Sequence, residues 1–312
     1  MDPRTEFLKR VDLSKTRINP FSGFIFLCGG AEDISSTTFV SVRDALAKEL
    51  SNGRNSDILA RLRLAEAIKD WYKDGIYGDL VTLEKHLASL ASLIVLIVES
   101  PGSIAELGVF ASLQPFSDRL LTVVSEHDHD QDSFIRLGPI KLLEDLNRPV
   151  LVYDWHSTSA GRHLADYTKI PSQLPDLLAN IRQSLDKDLG QKICKLENPL
   201  HAMLLIVDLC HHFGALNVTE ISSYLEMLDS NFESAVVRQY LFLLEKCEIL
   251  HKKAKGHGRY YYTKHWNPRV SFSFKDRDSV DYDRLALNVI EFLDVSNRTR
   301  ADVVRQVRGH GT

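Results

Sequence analysis

Apolar residues along the chain fall into two kinds of pattern. Phe24 to Cys28, Leu93 to Val98, Leu120 to Ser125 and Val150 to Tyr153 are runs with almost no polar interruption. A strand wetted on one side alternates, whereas a strand covered on both faces does not, so these runs predict buried strands of a parallel sheet. Ile58 to Leu62 is expected to add a short strand. Helical spacing fills the intervals: Thr37 to Leu50, capped by Asp33, Ser35 or Ser36 and burying Phe39, Val42, Leu46 and Leu50; Leu64 to Tyr72; Leu80 to Ala91; a helix opening at Ser103 with Ile104, Leu107 and Phe110 inward; and one ending near Leu146. Five strands alternating with helices predict an α/β fold, a doubly wound, mostly parallel five-stranded sheet.

Beyond residue 155 the pattern changes. Trp155 to Thr168 has mixed composition and reads as a linker or lid, and Leu174 to Leu189 as an amphipathic helix. Leu200 to Phe213 is strongly apolar and stops at Gly214. Asn217 or Thr219 opens a second helix to Leu228, and Asp229 or Ser230 a third, Phe232 to Lys246. A hairpin over Ile249 to Tyr262 follows, turning at Lys255-Gly256-His257-Gly258. Three helices and a hairpin are the order of a winged helix-turn-helix. Lys252, Lys253, Lys255 and Arg259 on the wing and Arg238 on the third helix are the candidate nucleic-acid contacts; a protein-docking or self-association module fits the same pattern. The expected division is an arm at 1–20, the α/β domain at 21–155, linker and helix at 156–198, the winged helix at 199–268, and a C-terminal helix with a basic tail at 269–312.

Length allows this division: 312 residues, 44% hydrophobic and 26% charged, describe an ordinary globular chain. A net charge of -4 excludes broad electrostatic attraction to nucleic acid and leaves only local patches. No apolar run reaches the ~20 residues needed to span a bilayer. The opening Met-Asp-Pro-Arg-Thr-Glu lacks the features of a secretory signal, so a cytoplasmic protein is expected. Cys28, Cys194, Cys210 and Cys247 form no C-x-x-C pair and predict neither disulfides nor a zinc site. Glu126-His127-Asp128-His129-Asp130-Gln131-Asp132 has metal-ligand residue types but is expected to be a flexible acidic loop.

The candidate chemistry lies where strands meet helices. Glu99-Ser100-Pro101-Gly102 breaks the run ending at Val98, and Glu106 follows in the first turn of the next helix. Ligands of open α/β sheets sit beyond the carboxyl ends of strands, against helix N-termini. Ser103-x-x-Glu106 is also the spacing of a capping box, so Glu106 stands between a catalytic carboxylate and a cap. Gly29-Gly30 permits close approach of backbone to a ligand or makes a plain turn. Glu84, on the preceding helix, is a further candidate acid.

Ile25-Phe26-Leu27-Cys28-Gly29-Gly30, Glu99-Ser100-Pro101-Gly102-Ser103-x-x-Glu106-Leu107-Gly108-x-Phe110 and Ser133-Phe134-Ile135-x-x-Gly138-Pro139 together closely resemble the effector toxins of bacterial retrons. Those effectors pair a nucleoside deoxyribosyltransferase-like domain with a winged-helix domain; the motifs cover residues 20 to 150, and the rest agrees by architecture. The resemblance implies an anti-phage effector held inactive by a reverse transcriptase and its msDNA, single-stranded DNA joined to RNA. It implies cleavage of an N-glycosidic bond, with NAD as substrate rather than cofactor. Glu106 matches the catalytic glutamate, Glu84 a recurrent acid, and Gly29, Gly30, Ser100, Gly102 and Ser103 the substrate-binding loops. The nicotinamide ring of NAD is already cationic and departs neutral without a proton donor, so one carboxylate suits NAD better than a purine nucleoside. Deoxyribosyl transfer, nucleotide hydrolysis and a nucleotide-sensing DNA-binding regulator remain alternatives, and a homo-oligomer is compatible with the pattern.

Overall fold

The computed structural model describes residues 1–64, 68, 75–159, 162–186, 190–256, 258–276 and 279–308. The chain forms two compact units, each assembled from separated stretches: 22–69 with 87–188, and 1–21 with 70–86 and 189–312. The expected helix at Leu64 to Tyr72 falls largely outside the described residues.

In the first unit, β1 (Phe24–Cys28), β2 (Leu62–Arg63), β3 (Ala91–Val98), β4 (Leu120–Ser125) and β5 (Val150–Tyr153) form one all-parallel sheet in the order β2-β1-β3-β4-β5. This is the doubly wound α/β architecture expected. Successive side chains of a strand point to opposite faces. Ile25, Leu27, Leu93, Val95, Ile97, Leu121 and Val123 share a core with Trp155 and with the helices α1 (Val42–Ser51) and, later in the chain, Leu174–Leu185. On the opposite face, Phe26 lies 6.3 Å from Phe110, in an edge contact. Phe110 belongs to α2 (Pro101–Ser112) and packs in turn on Phe116. Covering both faces of β1, β3 and β4 explains why those strands show no alternation, whereas the edge strand β5, expected to be buried, is only half-buried, with Val152 39% exposed; each buried ring contributes about 1.5–3 kcal/mol.

Local differences from expectation have local causes. Ser56–Arg61 is helical, and only Leu62–Arg63 pairs as a strand. α1 opens at Val42, where Ser41 accepts from the Asp44 N–H, later than the candidate caps Asp33, Ser35 and Ser36. The linker segment folds as a hairpin, His156–Ser159 with Arg162–Ala165, leading to a 3-10 turn at Tyr167–Ser172.

The second unit contains helices Pro199–His212, Val218–Leu228 and Val237–Lys246, then the hairpin His251–Lys255 with Gly258–Tyr262. Helix three begins later than expected because Ser234–Val236 is a separate 3-10 turn. Residues 1–20 are not a loose arm: Pro3–Arg10 is helical, Phe7 and Leu8 are buried, and Phe7 meets Phe213 and Phe272 edge-on at 5.5 and 5.2 Å. Nor is the end a basic tail. Arg298–Arg308 is a helix whose buried Arg300 pairs with Glu220, the same carboxylate that receives Arg4 at 3.1 Å. Among the described residues no helix is long and apolar enough to cross a membrane.

Candidate active site

Strand order β2-β1-β3-β4-β5 places the reversal of winding between β1 and β3, and the crevice beyond their carboxyl ends is the expected ligand site. β1 ends in Gly29-Gly30 and β3 in Glu99-Ser100. The carboxylate of Glu99 joins them: Oε1 accepts from the backbone N–H groups of Gly30 (2.9 Å) and Arg43 (3.0 Å), and Oε2 from Val42 (2.7 Å). Burial raises the Glu99 pKa, opposed by these three bonds and by the Arg43 charge. Val42 and Arg43 are the first residues of α1, so a carboxyl group of the protein itself already occupies the N–H groups at this helix start.

The two glycines have a reason internal to the fold. A Cβ on Gly30 would sit 2.8 Å from Ser41 Cβ and 3.0 Å from Glu99 Cδ; one on Gly29 would sit 3.0 Å from Arg43 Cβ. Close approach of backbone to this carboxylate requires glycine. Sequence reasoning missed Glu99, taking it for a turn residue. The available signal was a carboxylate directly ending an all-apolar strand, opposite a Gly-Gly turn in the neighbouring strand.

The next turn is built differently. α2 starts at Pro101, two residues before the expected start, with Ser100 as N-cap. Ser100 Oγ accepts from the Ser103 N–H (3.1 Å), and Ser103 Oγ accepts from the Ser100 N–H (2.9 Å) and the Glu99 N–H (3.0 Å). The capping box is therefore Ser100 with Ser103, not Ser103 with Glu106, because the earlier start moves the cap three residues upstream. Ser100 Oγ also reaches the Gly29 carbonyl at 3.3 Å. Gly29, Gly30, Ser100 and Ser103 thus meet around the β1 and β3 ends. Pro101 and Gly102 are exposed on the first turn of α2, and Glu106 lies one turn along, partly buried, with Oε2 screened from solvent. Ile104, expected inward, is 41% exposed.

Glu84, the further candidate acid, belongs to a different unit from these strand ends. It lies on helix Leu80–Leu90, in the part that belongs to the second unit. At the ends of β4 and β5, the histidine-rich segment is a helical turn, Glu126–Asp130, rather than a flexible loop: Ser125 Oγ accepts from the Asp128 N–H at 2.9 Å. His127 stacks on His163 (4.1 Å between centroids) and lies 5.2 Å from His156, whose pKa burial depresses. Among the described residues no group of three His, Cys, Asp or Glu side chains is arranged to hold a metal.

The candidate nucleic-acid cations on the hairpin and on the helix before it differ in availability. Lys252 is exposed but pairs with Glu245 (2.8 Å), and Lys255 pairs with Asp302 (3.3 Å). Lys252 stands opposite Tyr261, and Arg259 opposite Ala254, on one face of the hairpin; Lys253 is on the other face, opposite the buried Tyr260. Arg259 and Arg238 are exposed. His257 lies outside the described residues.

Residues 40–252 match the family described as STM3845 retron effector protein. The chain belongs to this retron effector family. Two Escherichia coli proteins are similar to the effector: "Retron Ec86 putative ribosyltransferase/DNA-binding protein", 32% identical over 127 residues (39% of this chain, 38% of that protein), and "Retron Ec73 putative ribosyltransferase/DNA-binding protein", 28% identical over 120 residues (38% and 37%). The alignments span under two fifths of either relative.

Proposed function

We propose that this retron effector is an N-glycosidase that cleaves the bond between ribose and nicotinamide in NAD or a related nucleotide, with Glu106 as the carboxylate that stabilises or captures the sugar. The observation that carries the proposal is the Ser100–Ser103 capping box, which assigns the helix start to serines and leaves Glu106 outside the cap on the strand-end helix. As the base departs, positive charge develops on the sugar, and a preorganised carboxylate at that point is commonly worth a few kcal/mol of barrier. The ribosyltransferase in the relatives' names agrees with chemistry at an anomeric carbon. Glu99, committed to three backbone donors, positions the crevice and takes no part in the bond cleavage.

In this proposal the second unit is a winged helix through which a reverse transcriptase and msDNA hold the effector inactive. Exposed Arg238 and Arg259, with Lys252 on the same hairpin face as Arg259, are the phosphate contacts, and the relatives' names include DNA binding. Incubating purified protein with NAD, deoxynucleosides and nucleoside monophosphates, then separating the products, tests the enzymatic reading. Free nicotinamide and ADP-ribose are expected. Base exchange between deoxynucleosides alone would instead make the protein a transferase, and an unchanged substrate set would leave only the DNA-binding role.

A further inference from the structure

We propose that the second unit holds a nucleotide-binding cleft of its own, distinct from the strand-end site, in which a base stacks on an aromatic wall and its phosphate lies beside Arg308 and Lys264. The cleft has a volume of about 560 Å³ and opens between the end of helix Pro199–His212, the segment after the hairpin, and helices Tyr282–Ser296 and Arg298–Arg308. Its size is that of a small-ligand site.

The wall is made of paired flat rings. His211 and Trp266 are parallel within 2° at 3.9 Å, and His212 stacks on Tyr282 at 4.4 Å. Trp266 is held in place by its Nε1, which donates to the buried Asp208 at 3.0 Å, and His211 Nδ1 lies 3.3 Å from Thr263 Oγ1. Burial pushes the His211 pKa to about 4 and that of His212 to about 3, so both rings are neutral near pH 7; His212 is buried behind the wall, and the surface open to a base is Tyr282, 37% exposed, with the half-buried His211 and Trp266. Positive charge in the cleft then comes from two side chains. Arg308 is partly buried and donates to the His212 carbonyl at 2.8 Å; among the described residues no carboxylate forms an ion pair with it. A partly desolvated guanidinium in that position favours an anionic ligand. Lys264 is exposed at the rim, and Asp283 lines the same space. Flat rings, two cations and one acceptor match a base, its phosphate and an N–H on the base edge. A free mononucleotide and the end of a nucleic-acid strand share this chemistry.

The full chain carrying Glu106→Gln is titrated calorimetrically with adenosine, adenosine monophosphate and a short oligodeoxyadenylate, so that turnover at the strand-end site plays no part. Adenosine monophosphate is expected to bind more tightly than adenosine. Tyr282→Ala and, independently, the surface change Lys264→Ala should each weaken it about tenfold. An oligonucleotide that binds more tightly than the monophosphate, with steep salt dependence, assigns the cleft to a strand; equal affinities assign it to free nucleotide. No binding by any ligand at millimolar concentration overturns the proposal, as does binding that Lys264→Ala and Tyr282→Ala both leave unchanged.

Discussion

Two strand-to-helix turns lie side by side in the sheet unit and are closed in different ways. At the end of β1 the turn is filled by the protein's own carboxyl group: Glu99 receives Gly30, Val42 and Arg43, so the first N–H groups of α1 are already bonded. At the end of β3 the turn is closed by hydroxyl groups, with Pro101 and Gly102 exposed. A serine cap satisfies N–H groups without placing an anion there, so the α2 end keeps its dipole for a ligand. A structural carboxylate is marked by several backbone donors from distant segments, as Glu99 is. Asp208 in the second unit repeats that pattern, accepting from Trp266 Nε1 and the backbone N–H groups of Arg269 and Val270.

The comparison can be broken by substitution. Glu99→Gln has the largest expected effect on stability, about 3 kcal/mol lost, because an amide offers one acceptor and turns its NH₂ toward a backbone donor. Urea unfolding followed by circular dichroism measures it, and a loss below about 0.5 kcal/mol would remove Glu99 from the structural class.

Asp208 tests the same idea through pH. Burial pushes its pKa up to about 6, with Trp266 and the two backbone donors opposing. A raised carboxyl pKa contributes stability below its unfolded value, near 4, and that contribution is lost as pH rises through about 6. A carboxyl pKa moved to about 6 corresponds to about 3 kcal/mol at most. Asp208→Asn should therefore flatten the fall in unfolding free energy between pH 4 and 7; an unchanged slope contradicts the assignment.

Gly30→Ala should cost about 2 kcal/mol by forcing a Cβ against Ser41 and the Glu99 carboxyl. Ser100→Ala removes a cap and should cost about 1 kcal/mol, measured in the same unfolding experiment. If Ser100→Ala proved neutral, the α2 start would be held by something other than the Ser100–Ser103 pair.

Much of the sheet was legible in the sequence. β1, β4 and β5 match their apolar runs end to end, and β3 begins two residues early at Ala91. Continuous burial in β1, β3 and β4 leaves a continuous apolar signal, and the half-buried edge strand β5 carries an apolar run without it. Where tertiary contact decides, the pattern was silent. Phe7 and Leu8 show no helical repeat in a short segment, yet they anchor Pro3–Arg10; Arg300 reads as a tail charge until Glu220 and the Ala215 carbonyl receive it. The resemblance assigns Gly29, Gly30, Ser100, Gly102 and Ser103 to substrate-binding loops; Gly29, Gly30, Ser100 and Ser103 meet at the strand ends, and Gly102 is exposed on the first turn of α2. The part of Glu99 was hidden because its partners are backbone N–H groups, which carry no residue identity.

If Glu106 does the proposed chemistry and leaves helix capping to the serines, purified Glu106→Gln and parent protein should differ in nicotinamide release from NAD and not in urea unfolding in the same buffer. Unfolding free energies within about 0.5 kcal/mol of each other, with nicotinamide release abolished in the variant, are expected. Release at the parent rate, or a loss of stability with activity intact in the folded fraction, would contradict the proposed role.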